Sequence, residues 1–256
     1  MDLKLKGKKA IITGATRGIG RAIAETLADE GCDVAICARN ADQLAEAVAA
    51  LKARGVDAQG EVVDIAQADQ LKSFIEKMGK GWGQIDIMVS NASALASGGE
   101  ETHFQSGFDI DLLGAQRSTE VALPYLKKAA QANGDASVIF IASISAAETS
   151  EGNAYGALKA AMVHYAKGLS RQFAADHVRF NAVSPGTVYF EGGVWSFIEE
   201  HMKETFDEAM SKNLMGRMAT PQDIADATVF LSSPRSSFTT GVNMIVDGGY
   251  TSRVNF

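Results

Sequence analysis

Cysteine is nearly absent from this chain. Two of its 256 residues are Cys, Cys32 and Cys37, and both lie in or beside an apolar run. Two thiols cannot build a disulfide framework or, alone, a zinc site; buried free thiols in a reducing compartment are the reading they support. Histidine is scarce as well: the four are His103, His164, His177 and His201. None falls in an HxxxH or HExxH spacing, so no metal site is expected, and His164 reads as a packing or surface residue. A GxSxG nucleophile elbow is missing too. Positive charge is in deficit, with 24 Lys and Arg against 31 Asp and Glu and a net charge of −7. Binding nucleic acid needs a basic face, so nucleic acid is not an expected partner. The one basic cluster, Lys4, Lys6, Lys8 and Lys9, reads as a solvated edge. No run reaches about 18 apolar residues, so no hydrophobic span and no membrane partner is expected. The first apolar run is too short for a signal peptide and leads straight into a glycine motif, so a cytoplasmic location is the expectation.

What the chain does have is a steady alternation. Its 46% apolar and 21% charged content is that of a soluble globular protein, long enough to bury a core without cross-links. Apolar runs at 9–13, 34–38, 58–65, 84–91, 137–143, 178–185 and 242–249 read as strands, and helical periodicity marks 18–31, 41–54, 67–80, 103–131, 153–175 and 221–233. Strands separated by helices of this length make βαβ units, and continuously apolar strands fit a sheet covered on both faces. Right-handed crossovers then give the fold class: α/β, a doubly wound parallel sheet, Rossmann-like, with about seven strands and helices on both faces. An eight-stranded barrel is the rival, and it lacks a strand. No linker or repeat divides the chain, so residues 1–256 are expected to form one domain. Residues 186–219 break the alternation, with no strand but with Tyr189, Phe190, Trp195, Phe197, Phe206 and four methionines. Such a segment suits an adaptable apolar substrate wall.

Ligands of an open parallel sheet sit beyond the carboxyl ends of its strands, so functional residues should follow strands. Thr13-Gly14-Ala15-Thr16-Arg17-Gly18-Ile19-Gly20 follows the first. Its glycines let the backbone approach a pyrophosphate, and the next helix brings N–H groups and the positive end of its dipole. The spacing is GxxxGxG rather than GxGxxG. Ala38-Arg39 follows the second strand. An acidic residue there would hold a free ribose hydroxyl and repel a 2′-phosphate; Arg39, with Arg17 in reach of the same region, favours NADP(H) over NAD(H). Tyr155 and Lys159 stand four apart on a helix and share one face. An ammonium beside a phenol favours the phenolate. Ser143 ends the strand just before that helix.

Taken in order, TGATRGIG (13–20), Asp64, SNAS (90–93), Ser143, Tyr155, Lys159, NAVSPG (181–186) and IVDGG (245–249) resemble the short-chain dehydrogenase/reductase family over essentially the whole chain. The resemblance implies reversible hydride transfer between a nicotinamide cofactor and a carbonyl or alcohol. It implies that Tyr155 exchanges a proton with the substrate oxygen, that Ser143 hydrogen-bonds that oxygen and that Lys159 holds the nicotinamide ribose. Gly14, Thr16, Arg17, Gly18, Ile19, Gly20, Arg39, Asp64, Asn91, Pro185, Gly186 and Val188 would line the cofactor, with Asp64 against adenine. Ser93, Ser143, Phe190 and Trp195 would face the substrate. The resemblance also implies a substrate lid over about 187–215, for a medium-sized, mostly apolar ketone or alcohol, and a homodimer or homotetramer.

Four departures stand out. The family's NNAG reads Ser90-Asn91-Ala92-Ser93 here, Ser143 precedes Tyr155 by one residue fewer than usual, and Phe190 takes the place of a threonine that contacts the nicotinamide amide. The catalytic asparagine of an N-x-x-G setting, at a bend in its helix, is replaced by Asp111 in Asp111-Leu112-Leu113-Gly114. Aspartate keeps the shape of asparagine, but its ionised form only accepts hydrogen bonds. Asp111 is therefore grouped with Ser143, Tyr155 and Lys159 as catalytic. Two alternatives stay open: a 3-oxoacyl-carrier-protein reductase, with Lys127, Lys128 and Arg171 as a docking patch, and a non-catalytic NADP(H)-binding sensor or scaffold.

Overall fold

The computed structural model describes residues 1–149 and 151–254. Its strands are β1 (Lys9–Thr13), β2 (Asp33–Ala38), β3 (Ala58–Val62), β4 (Ile87–Ser90), β5 (Ala136–Ile141), β6 (Val178–Pro185) and β7 (Asn243–Val246). They form one parallel sheet in the order β3-β2-β1-β4-β5-β6-β7. The sheet is open, with edges at β3 and β7, which rules out the barrel. Every residue of β4, β5 and β6 is buried, as strands covered on both faces must be.

The helices are α1 (Gly18–Asp29), α2 (Ala41–Lys52), α3 (Ala68–Trp82), α4 (Glu101–Gly107), α5 (Leu113–Asn133), α6 (Ala154–Phe173), α7 (Val194–His201), α8 (Lys203–Lys212) and α9 (Pro221–Ser232). Alternate strand residues point to opposite faces, and this divides the core in two. Ile12, Ile36 and Val183 pack with Ile23, Leu27, Leu44 and Val229 of α1, α2 and α9. Ile11, Met88, Val138 and Phe180 pack with Phe74, Leu126 and Met162 of α3, α5 and α6. The sheet is thus doubly wound, and the strand order reverses between β1 and its neighbours β2 and β4. Their carboxyl ends open the crevice where such folds bind ligands.

Three differences from the sequence reading have physical reasons. The long helix over 103–131 is broken: α4 ends in a π-helical turn, Phe108–Leu112, before α5 begins. The segment after β6 carries two short helices, α7 and α8, and is closed at its base by a bridge between Val188 and Ala219. Of the N-terminal lysines, Lys4 and Lys6 are exposed as expected, but Lys8 Nζ lies 3.0 Å from Asp86 Oδ1, because buried Asp86 needs donors at that end of the sheet, and Lys9 pairs with Asp33. Cys32 and Cys37 are buried and unbridged. Among the described residues no helix is long and apolar enough to cross a membrane, and no cluster of His, Cys, Asp and Glu could hold a metal.

Candidate active site

The site begins where β1 stops. Gly14 turns the chain with φ +66°, its N–H donating to Cys37 O at 2.9 Å. Gly18 adopts φ +56°, a conformation that side chains rarely take. The N-terminus of α1 has no side-chain cap and no acidic residue in its first turn. Its orphan N–H groups therefore remain available to an anion. A Cβ at Gly20 would collide with Asn91 Nδ2 and Gly14 O. Asn91 is the brace of this turn: its Nδ2 donates to Thr13 O at 3.0 Å and Gly14 O at 2.9 Å, and its backbone N–H donates to Thr13 Oγ1 at 3.0 Å. Arg39 stands exposed just past β2, without an ion-pair partner among the described residues. Arg17 is turned elsewhere, its Nη1 donating to Gly192 O at 3.0 Å. Burial pushes the Cys37 thiol up to about 12, so it stays protonated and unreactive.

The second half is assembled from β5 and α6. Ser143 is buried just past β5, and its Oγ accepts from Ser145 N–H at 3.1 Å. That leaves the hydroxyl proton free to be donated outward. The α6 helix starts at Asn153, whose Oδ1 accepts from Gly156 N–H at 2.9 Å. Gly156 is small for a reason: a Cβ there would sit 2.8 Å from Ser145 O. The close approach brings half-buried Tyr155 and Ser143 into one wall. Lys159, one turn further, is 2% exposed. Its Nζ donates to Ile141 O at 2.9 Å, lies 3.0 Å from Asp111 Oδ1 and is 5.5 Å from the centre of the Tyr155 ring.

These two halves share one cavity of about 1050 Å³. Gly14, Thr16, Arg17, Gly18, Ile19, Gly20, Arg39, Asp64, Asn91, Ser93, Ser143, Tyr155, Lys159, Pro185, Gly186, Val188, Phe190 and Trp195 all line it. Asp111 does not; it is buried behind Lys159. Phe190 lays its ring on the glycine turn, where a Cβ at Gly18 would fall 2.5 Å from Cζ.

The family model described as enoyl-(acyl carrier protein) reductase matches residues 14–251. Isoepoxydon dehydrogenase of Penicillium expansum is 35% identical over 252 residues, spanning 96% of this chain and 95% of that protein. The short-chain dehydrogenase/reductase SDRA of Arabidopsis thaliana is 34% identical over 257 residues, spanning 98% and 97%. The chain belongs to the short-chain dehydrogenase/reductase family. L-Sorbose reductase from Gluconobacter frateurii, solved with NADPH and L-sorbose, superposes with a TM-score of 0.89 at 28% identity, covering 99% of this chain and 100% of that one. As a short-chain dehydrogenase/reductase, the protein is an oxidoreductase acting between a CH–OH group and its carbonyl.

Gln43, Leu95, Ser97, Ser145 and Tyr250 also line the cavity of this dehydrogenase/reductase without having been marked in the sequence, and Val194 lines it from within the expected lid. Tyr250 follows the last strand, so the rule that sites follow strand ends could have found it. It rides on a turn held by Asp247. Burial raises that carboxyl, but hydrogen bonds from Thr251 and Gly249 outweigh it and hold Asp247 below its ordinary value. Ser97 and Leu95 lie in an irregular loop with no motif to mark them.

Proposed function

We propose that the protein is an NADP(H)-dependent reductase of a small uncharged carbonyl compound, with Tyr155 as its acid/base. The carrying observation is that Ser143, Tyr155 and Lys159 share one cavity with the glycine turn. The residues fit a dinucleotide on their own chemistry: an uncapped helix N-terminus for the pyrophosphate, glycines that keep the approach open, and Arg39 at the far end. NADPH, when bound, supplies the hydride. The protein does the rest. Ser143 Oγ–H donates to the carbonyl oxygen and orients it. Tyr155 gives its phenolic proton to that oxygen as negative charge develops there. Lys159, fixed at Ile141 O, stands beside the tyrosine ring and would hold the nicotinamide ribose.

The charged side chains that line the cavity, Arg17, Arg39, Asp64 and Lys159, are those the cofactor and the acid/base would use, and the rest of the lining includes Ser93, Ser97, Ser145, Leu95, Val194 and Trp195. This supports an uncharged substrate of mixed polarity, a narrower reading than the apolar one the lid composition suggested. The names of its relatives, isoepoxydon dehydrogenase and L-sorbose reductase, point the same way. An acyl-carrier substrate is less well supported, although the carrier-protein reductase of Thermotoga maritima is 32% identical. Of its expected docking cations, Lys127 is paired with Asp176 at 2.8 Å and Lys128 lies over Tyr125. The intact serine, tyrosine and lysine argue against a sensor without catalysis. A homodimer or homotetramer is supported by the open edge of β7 and by fully exposed Phe238 in the loop before it.

The test is a panel of uncharged ring ketones and ketoses, followed by loss of NADPH absorbance, for wild type and Tyr155→Phe. Removing the hydroxyl should lower kcat by about 10²–10⁴-fold and leave NADPH binding intact. A variant with more than about a tenth of wild-type kcat would remove Tyr155 from the acid/base role.

A further inference from the structure

Asp111 is buried at 3% exposure, and both of its oxygens are engaged. Oδ2 accepts from the Ala94 backbone N–H at 2.9 Å. Oδ1 lies 3.0 Å from Lys159 Nζ. This second contact is an ion pair outside hydrogen-bond geometry, so its attraction is mainly that of charge. The local fold explains how a carboxylate comes to sit there. The π-helical turn Phe108–Leu112 inserts an extra residue into the helix and swings Asp111 inward. Glycines flank it: a Cβ at Gly107 would meet Leu158 of α6 at 2.5 Å, and one at Gly114 would meet Ile65 at 2.8 Å. The turn is therefore pressed against α6, the helix that carries Tyr155 and Lys159.

We infer that Asp111 is a positioning residue, requiring a carboxylate rather than an amide, that fixes Lys159 on one side and the backbone of the loop carrying Ser93, Ala94 and Leu95 on the other. This rests on the reading of Tyr155 and Lys159 given above. A lysine ammonium has three N–H groups and no acceptor. Ile141 O takes one, and the Asp111 carboxylate, 3.0 Å away, holds the ammonium on that side by charge. An asparagine at 111 has a single acceptor oxygen. It could serve Ala94 N–H or face Lys159, and its NH₂ would then oppose the other donor. The isosteric amide thus fills the same space and fails at one of two contacts. Leu95, next to Ala94, sits at φ +52°, so the loop holds a conformation that needs such an anchor.

A double-mutant cycle tests this: wild type, Asp111→Asn, Lys159→Gln and the double variant, with Tyr155→Phe run beside them. Asp111→Asn should lower kcat at least about tenfold and raise KM for the carbonyl substrate, while NADPH affinity changes less than about threefold. In the Lys159→Gln background the same change should cost kcat little further, because its effect passes through the lysine. Melting temperatures are read on all four proteins. If Asp111→Asn alone is too unstable to assay, the double variant removes both buried charges and should regain stability, and that coupling in melting temperature supports the pair. Wild-type kinetics in Asp111→Asn, or additive effects in kcat and in melting temperature, would overturn the inference. An active Tyr155→Phe would instead overturn the acid/base reading, so the two failures are told apart.

Discussion

At the residue scale the proposed preference for NADP(H) turns on Arg39. It stands past the end of β2, exposed and uncommitted, while Arg17 is engaged with Gly192 O at 3.0 Å. Arg39 is then the one of the two arginines free to meet a 2′-phosphate. A charged hydrogen bond contributes about 1.5–3 kcal/mol, or roughly ten- to a hundredfold in affinity. Arg39→Asp should lower kcat/KM with NADPH by that factor and improve use of NADH, since a carboxylate suits the free hydroxyl. Steady-state kinetics with both cofactors check it, and an unchanged preference would shift the role to Arg17. The glycine turn, Ser143, Tyr155 and Lys159 were legible in the sequence because each follows a strand or shares a helix face. The direction of Arg17 was not, because its partner lies 175 positions along the chain. Nothing local encodes that contact.

At the element scale the start of α6 decides the geometry. Glycine is a poor helix residue, so Gly156→Ala should favour an isolated helix. In this protein the new Cβ would fall 2.8 Å from Ser145 O, a backbone atom that cannot yield cheaply. The helix must retreat and take Tyr155 with it. We expect kcat to fall by about tenfold or more with little change in NADPH affinity, because only the proposed acid/base is misplaced. A variant as active as wild type would show that the contact is slack. The α9 helix gives a stability case. Thr220 and Asp223 form a capping box, and Arg217 holds the Asp223 carboxyl well below its ordinary value. A depressed carboxylate stabilises the fold above its unfolded value and loses that contribution as pH falls through its folded one. Asp223→Asn should cost up to about 1 kcal/mol at neutral pH, discounted because the group is a third exposed, and the gap should close in strong acid. Urea melts of both proteins at two pH values read this directly; a gap that widened in acid would contradict it. The break at Phe108–Leu112 was not legible in the apolar spacing, because an inserted π turn disturbs that spacing by one residue and carries no proline to announce it; only the family resemblance set a bend at Asp111. Neither were the helices α7 and α8 marked, since only Ala209 of the two is buried and no apolar stripe had to face a core.

At the scale of the whole molecule, the doubly wound sheet was legible from the alternation of short strand-like runs with helices, although the edge strands β3 and β7 are only partly covered. What alternation could not give is how residues 188–219 sit on that sheet. They leave at the bridge of Val188 with Ala219 and return to it, so the excursion is anchored at its base. Above the base, two contacts join it to the cofactor turn: Arg17 Nη1 to Gly192 O, and the Phe190 ring on Gly18. Val194, Phe197, Met202, Leu214 and Met215 remain exposed. We propose this segment as a lid that is loose without ligands and orders when cofactor and substrate are present. Segments with few buried apolar contacts open with low free energy, so amides of α7 should exchange much faster than those of β4 and β5 in the free protein. Binding both ligands should slow them. The Arg17 contact makes a sharper expectation. Arg17→Ala removes the hydrogen bond to Gly192 O, so exchange around Gly192 and α7 should quicken in the free protein, while α9 and the sheet stay as they were. Hydrogen exchange read by mass spectrometry on both proteins, with and without NADPH and substrate, separates the cases. Equal protection of α7 in free and liganded wild type would mean that this segment is a fixed wall and not a lid.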